Sequence, residues 1–467
     1  MNEAVEAFMD AQAARPPEAY YDTGRKEYLI RDGQEKWISL SEAQFKRVLA
    51  KAGIGAKRGK GVGVSAQDDA ILDLQMHHNV VWAGPLAGYR SGYYETGGNG
   101  ILVTTSPRVI EPMESDWTML RGVIEGLLGD RDGEQLPYTY GWLKIAYEAL
   151  RDGLKQPGQV FVMCGPHGSG KSLLQQIITV LLGGRVARPY QVMSGGTPFN
   201  SDLFGAEHLA VEDEQPSTDI RARRAFGSQI KNVTVNIDQR FHQKHRDALV
   251  LQPFWRMTVS INDESENVQI LPPIDDSLED KMMIFRAVRH DMPMPTGTGV
   301  ERAAFWARLV SEAPGLAHHL VNMEIPRRLR CERFGVRHYH HPEIVQILNE
   351  VAPEVRLLAL IDATFFRAAD IGGGLVTSSR SAPVELTAEE IEGALTDQHA
   401  QHSFEARRLL GWNNACGTYL GRLASKACPD RVQSIRTALN RRWRILPRQT
   451  AAEEREAVSG SDEPMTA

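Results

Sequence analysis

Only four cysteines occur in 467 residues, at 164, 331, 416 and 428, and no two form a CxxC pair. A disulfide scaffold is excluded, and a reduced, cytoplasmic setting is expected. The N-terminus MNEAVEAFMDAQ carries acids where a secretory signal has a basic start and an apolar run. No stretch approaches the roughly 18 uninterrupted apolar residues of a membrane span, so no membrane partner is expected. Internal repeats are absent as well. What remains is ordinary for a folded chain: 42% hydrophobic and 24% charged residues, long enough for roughly two to four domains. The net charge of -6 conceals an uneven distribution, because residues 404–448 hold ten Arg/Lys against only Glu405 and Asp430. Such a basic end points to nucleic acid, although a solvated helix face produces the same composition.

Hydrophobic periodicity divides the chain. Residues 1–150 read as an α+β unit, with EYLIRDGQEKWISLS as two strands about an Asp-Gly turn and SEAQFKRVLAKAG as a capped helix. Strands and helices alternate over 151–295, as in an α/β domain. A helical extension covers 296–370, and DIGGGLVTSSRSAP reads as a linker. A small basic helical domain at 384–448 precedes an acidic tail at 449–467, expected to be disordered.

Within the α/β stretch, CGPHGSGKS stands between the apolar run QVFVM and the helical LLQQIITVLL. Gly165-Pro166-His167-Gly168-Ser169-Gly170-Lys171-Ser172 is a P-loop pattern, and Leu173 continues into the helix. The glycines let backbone N–H groups turn inward around a β-phosphate, and the helix aims its dipole at the same anion. Lys171 reaches the β and γ oxygens, and the Ser172 hydroxyl serves Mg²⁺. ATP and Mg²⁺ are therefore the expected cofactors.

Such a loop needs carboxylates on a neighbouring strand, one for the metal and one for the attacking water. HLAVEDE supplies them: Asp213 is assigned to Mg²⁺, and Glu212 or Glu214 to water. RMTVSIND is a third apolar strand, and the Asn262 amide at its end is placed to sense the γ-phosphate.

This order, with the hairpin-like VTVNIDQRFHQKHRDALVLQPFWRMTVSIN and its Lys244-His245 pair ahead of Asn262, resembles the superfamily 3 helicases. These are hexameric ring ATPases of the AAA+ class from small DNA viruses, phages and plasmids. From about residue 20 to 350 the chain looks like the helicase portion of phage-type primase-helicases. The resemblance implies an α/β fold with a P-loop ATPase core, and a hairpin whose tip grips one DNA strand in a ring channel. Lys244 and Arg246 would neutralise phosphates, while Phe241, His242 and His245 would stack on sugar or base. In that family an arginine after the polar strand reaches the neighbouring subunit's γ-phosphate. Lys281 occupies the aligned position here; Arg286 is the first choice for this finger, and Lys281 the second. No primase is visible in residues 1–150, where Asp68 and Asp69 read as a helix cap, so a separate primase or polymerase partner is envisaged.

Weaker signals weigh toward structure. His338, His340 and His341 lack partners at zinc-finger spacing, and Cys416 and Cys428 read as small buried hydrophobes. In GTYLGRLASKACPDRVQSIRTALNRRWRILP two helices about a Pro-Asp turn suggest a winged helix-turn-helix. Val432, Ile435 and Leu439 would form its buried stripe, and Arg436, Arg441 and Arg442 a face for duplex DNA.

The expectation is a homo-oligomeric, hexameric, ATP-driven DNA helicase or translocase serving replication of a phage, satellite or plasmid. Two other readings stand beside it. An AAA+ machine acting on protein would need aromatic-hydrophobic pore loops, and a signalling or defence ATPase would oligomerise without unwinding DNA.

Overall fold

The computed structural model describes residues 18–32, 36–58, 63–130, 133–212, 220–244, 248–272, 274, 276–350, 352–366, 382–436 and 440–447. The chain divides into two compact units, Met1–His341 and Pro342–Ala467. The division falls inside the stretch 296–370 that reads as one helical extension, so the helices Pro342–Glu350 and Pro353–Phe365 belong to the second unit. No described helix is long and apolar enough to cross a membrane.

At the centre of the first unit lies a five-stranded parallel sheet. Its strands are β1 (Val160–Cys164), β2 (Val186–Ala187), β3 (His208–Glu212), β6 (Arg256–Ile261) and β7 (Met282–Arg286). Between β3 and β6 the chain forms an antiparallel hairpin of β4 (Gln239–Phe241) and β5 (Leu249–Leu251). The spatial order is β7-β1-β6-β3-β2, which sets the P-loop-pattern strand beside the polar strand. Val160, Phe161, Val162, Met163 and Cys164 are all buried, as expected of a strand covered on both faces.

Helix α1 (Lys171–Leu181) packs Leu174, Ile177, Ile178 and Leu181 into a core shared with Phe161, Met163, Met283 and Phe285. The helices Thr118–Leu128, Gln135–Arg151 and Gly299–Asn322 close over the same core with Leu127, Trp142 and Leu316. Each fully buried Leu or Phe contributes about 1.5–3 kcal/mol from the removal of apolar surface. The core thus holds fixed the ends of the strands, where the polar groups emerge.

Residues 18–103 build two small sheets and two capped helices. Ser41 and Gln44 form a capping box for Glu42–Lys51, and Ser65 caps Ala66–His77 with Asp68 and Asp69 in its first turn. The loop 85–89 then docks this region onto residues that lead into β1, β3 and β6, at the end of the sheet opposite the glycine loop. Ala87 N–H donates to Phe204 O at 2.7 Å, and Phe254 N–H donates to Ala87 O at 3.0 Å. Gly88 has φ +76, and a Cβ there would collide with Phe254 Cβ, so glycine is required. Lys155 donates to Gly88 O at 2.6 Å and lies 3.8 Å from the Tyr89 ring centroid; burial pulls its pKa down to about 8.

The second unit contains a strand (Val384–Thr387), the helices Ala388–Thr396, Ser403–Leu409 and Ala415–Arg422, and a hairpin of Val432–Arg436 with Arg441–Ile445. The expected helix through Val432 and Ile435 is therefore a strand; Leu439 lies outside the described residues. Cross-strand pairing decides the matter. Val432 faces Ile445, both essentially buried, and in Arg-Arg-Trp-Arg-Ile the buried Trp443 and Ile445 alternate with exposed Arg444. That period of two outweighs a three-to-four spacing spread over only eight residues.

Candidate active site and nucleic-acid interface

The glycine loop begins where β1 ends. Gly165 N–H donates to Ile261 O at 3.2 Å, and a Cβ on Gly165 would collide with the carbonyl of Ala287, so only glycine fits between β6 and the exit of β7. Gly168 and Gly170 take φ +74 and +106, the left-handed region in which other residues are strained. Gly170 then caps α1 without any side-chain hydrogen bond, which leaves the first-turn N–H groups directed out of the helix. Pro166 and Gly170 are half-buried, and His167 and Gly168 are exposed. Ser169 is buried, its Oγ without a hydrogen-bond partner among the described residues. Ser172 and Leu173 are half-buried in the first helical turn, and Leu173 packs against the core.

Lys171 is 5% exposed. Its Nζ donates to Gly165 O at 2.7 Å, Pro166 O at 2.8 Å and Asn262 Oδ1 at 3.1 Å. The strand-end amide singled out in the sequence is thus in direct contact with the loop lysine. Glu212 closes β3 two strands from the loop, half-buried and ion-paired with Arg188 at 2.7 Å. Asp213 and Glu214 lie outside the described residues. Ser172 and Glu212 are oxygen donors near the same edge of the sheet, the ligand type that magnesium takes.

The two finger candidates part company. Arg286 ends β7 beside Cys164, with its backbone N–H donating to Gln135 Oε1 at 2.7 Å. Lys281 stands at the other end of that strand, about 17 Å away at about 3.3 Å per residue. It is 8% exposed and paired with Asp280 at 2.6 Å, so a role for it at a neighbour's phosphate is not supported. A buried, paired ammonium has no reach. Arg289 was not among the candidates, yet its Nε and Nη2 donate to His167 O at 3.2 and 3.0 Å, clasping the glycine loop.

The hairpin carries another correction. Phe241, expected to stack on nucleic acid, is 2% exposed and packs edge-on against Phe204 and Trp82 at centroid distances of 5.0 and 5.7 Å. It anchors the foot of the hairpin. Beyond it His242 is half-buried and Lys244 exposed, while His245 and Arg246 lie outside the described residues. Asn200 laces a second loop to this hairpin: His242 N–H donates to Asn200 Oδ1 at 2.7 Å, and Asn200 Nδ2 donates to Arg240 O at 2.8 Å. Phe199 is thereby held 38% exposed with its ring 5.3 Å from that of His242. The sequence signal for it was a glycine-rich, polar loop ending in a lone aromatic, TPFN.

In the second unit Arg436 and Arg441 face each other across the hairpin, both exposed. Arg441 lies 4.3 Å from the Trp443 ring centroid. Arg442 is partly committed elsewhere, 3.5 Å from Glu390 and donating to Glu385 O. Among the described residues no cluster of His, Cys, Asp and Glu is arranged to hold a metal. His340 instead hydrogen-bonds Met282 O at 3.0 Å, and burial lowers its pKa. Cys416 is buried, which pushes its thiol up to about 12 and makes it inert.

No family model matches the chain, and no curated protein matches it in sequence. Two solved structures of the apo NrS-1 C-terminal region align over 95% of this chain and 98% of theirs, at 14% and 13% identity and a TM-score of 0.50. The SCCmec type IV Cch active helicase aligns over 95% of this chain and 93% of its own, at 8% identity and a TM-score of 0.36. That last likeness is too distant to carry weight. The first two show that the chain shares the mixed α/β fold of the NrS-1 C-terminal region.

Proposed function

We infer that the chain is an ATP-dependent DNA helicase or translocase of superfamily 3 type, working as a homo-oligomeric ring, with six subunits the expected number. The observation that carries this reading is the contact of Lys171 Nζ with Asn262 Oδ1 at 3.1 Å, at the glycine-loop edge of a parallel sheet that also carries a basic hairpin. Gly165 to Ser172 form the P-loop. A triphosphate offers charged oxygens that outcompete the neutral carbonyls of Gly165 and Pro166 for the ammonium, because charge-assisted hydrogen bonds are roughly twice as strong.

Lys171 then leaves Asn262, and the freed amide reports the γ-phosphate to β6 and, through it, to the hairpin immediately upstream. Glu212, with Asp213 and Glu214 beside it in sequence, orients the attacking water. Ser172 and the acids would hold magnesium, which would supply charge neutralisation of the phosphates. Arg286 is the finger candidate that remains at this edge. Lys244, with His245 and Arg246, handles the strand, and Phe199 with His242 offers a stacking surface next to it. In the second unit a strand, three helices and a hairpin that pairs with the strand support a winged-helix reading, and Arg436 with Arg441 suits a duplex backbone. Facing arginines repel each other, and a phosphate between them removes that cost. A role in replicating a phage, satellite or plasmid, alongside a separate primase or polymerase, fits this set of parts.

The test is magnesium-dependent ATP hydrolysis with and without single-stranded DNA, together with strand displacement on a fork. Changing Lys244→Ala and His245→Ala together is expected to abolish DNA stimulation and displacement while basal hydrolysis persists. Wild-type behaviour from that double variant would remove the hairpin from the mechanism.

A further inference from the structure

Beneath the glycine loop lies a set of buried polar side chains that no apolar core needs. Gln175 Nε2 donates to Thr258 Oγ1 at 2.7 Å and to Val211 O at 3.1 Å. His208 sits between two threonines, Nε2 2.8 Å from Thr258 Oγ1 and Nδ1 2.7 Å from Thr179 Oγ1. Thr179 Oγ1 in turn donates to Gln175 O at 2.9 Å.

One set of proton directions satisfies every bond. With the Thr179 hydroxyl donating to the main-chain Gln175 O, His208 Nδ1 is the donor to Thr179 in the matching tautomer. Burial pulls the His208 pKa down to about 3, which keeps the ring neutral, and Nε2 then accepts from the Thr258 hydroxyl. Thr258 Oγ1 is left to accept from Gln175. The bonds form a closed ring running one way, from the Gln175 amide through Thr258, His208 and Thr179 back to the Gln175 carbonyl.

Position gives this ring its meaning. Gln175 follows Lys171 by four residues on α1, His208 precedes Glu212 by four on β3, and Thr258 precedes Asn262 by four on β6. One circuit therefore ties together the three elements that carry the loop lysine, the strand-end acid and the strand-end amide. Apolar residues of the same shape would pack there at no net loss of stability. What they would not do is fix the register of three elements to the fraction of an ångström that aligned reacting groups demand.

We propose that Gln175, Thr258, His208 and Thr179 are positioning residues, setting Lys171, Glu212 and Asn262 for hydrolysis while contributing little to nucleotide affinity. The proposal rests on the ATPase reading above.

The experiment compares Thr258→Val with Thr258→Ser by steady-state kinetics, binding of a fluorescent ATP analogue and thermal melting. Valine keeps the shape and opens the ring; serine keeps the ring. The expected result for Thr258→Val is a 10- to 100-fold fall in kcat with analogue affinity within about threefold of wild type, and near-complete rescue by Thr258→Ser. Adding Gln175→Leu to Thr258→Val should lower kcat no further, because a ring opened once is already open. Should Thr258→Val not fold, Thr179→Val opens the same ring at its half-buried edge and is read in the same way. Unchanged kcat in a folded ring-opened variant, or no rescue by serine, overturns the proposal while leaving the ATPase reading intact. Absence of hydrolysis by the wild type overturns both.

Discussion

Lys171 and Lys281 stand at opposite ends of one parallel sheet, nearly equally buried at 5% and 8% exposure, and they are held in different ways. Lys171 donates to two carbonyls of the glycine loop and to the strand-end amide of Asn262. Lys281 is fastened to the Asp280 carboxylate, which Arg333 also grips at 2.6 Å. The first set of contacts lies on the loop and strand end where an anion would arrive; the second lies on a carboxylate shared with an arginine. Other buried and half-buried cations stand at the Lys281 end of the sheet. At the Lys281 end Arg256 is fully buried against Phe254, with its pKa lowered to about 9 by desolvation, and Arg185 is paired with buried Glu207. At the Lys171 end, glycines hold the backbone open. Burial of charge alone therefore does not mark a site; a place beside the open glycine backbone does.

The largest expected effect breaks this comparison outright. Lys171→Ala should lower ATP turnover by about 1,000-fold or more, since phosphate charge then goes unanswered in a low-dielectric site. Lys281→Met should leave turnover within threefold and reduce unfolding stability by about 1 kcal/mol, because Asp280 keeps Arg333. Parallel hydrolysis assays and urea denaturation check both. A turnover loss in Lys281→Met comparable to that in Lys171→Ala would erase the distinction.

Glycine substitutions sharpen it. Gly165→Ala forces a methyl group into the Ala287 carbonyl, a backbone atom tied to Cys164 O through its own N–H at 2.8 Å, so nothing yields cheaply. About 3 kcal/mol of stability and all turnover should be lost. At the opposite end Gly158→Ala meets Arg256 Nε at 2.7 Å, a side-chain atom rather than backbone. Its cost should be smaller, about 1–2 kcal/mol, with turnover kept. Thermal melting and hydrolysis separate the two.

Legibility in the sequence follows the same division. The loop from Gly165 to Ser172 is readable because its pattern is local: an apolar strand, glycines where φ is positive, then a helix. The hairpin is readable from two apolar runs about a polar tip. Long-range relations are not. Phe241 looks like a stacking ring until Trp82, from a distant part of the chain, covers it. Val432 and Ile435 look helical until Ile445 and Arg442 pair across from them. Gln175, His208 and Thr258 look like polar interruptions in LLQQIITV, HLAV and RMTVSI, and only the sheet reveals that they meet. Lys281 aligns with a finger position in sequence, but its burial is a tertiary fact.

The smallest expected effect concerns acid. The buried His208 ring faces Thr179 and Thr258, and the charge that acts on it is Arg188, itself paired with Glu212. Desolvation first, and Arg188 second, lower its pKa to about 3, whereas an unfolded histidine titrates near 6.5. Between those values the unfolded chain binds a proton that the folded chain refuses, so this contribution to stability is complete above about pH 6.5 and declines as pH falls toward 3. His208→Gln removes the difference. Its overall stability will be offset by the opened ring, so the informative quantity is the slope: below about pH 6 the wild type should lose a little over 1 kcal/mol per pH unit more than the variant. Denaturant titrations at pH 7, 6 and 5 measure it. Equal slopes would mean that the folded protein protonates His208 as readily as the unfolded chain does. The ring would then lack its fixed direction, and the two ends of the sheet would differ less than their geometry implies.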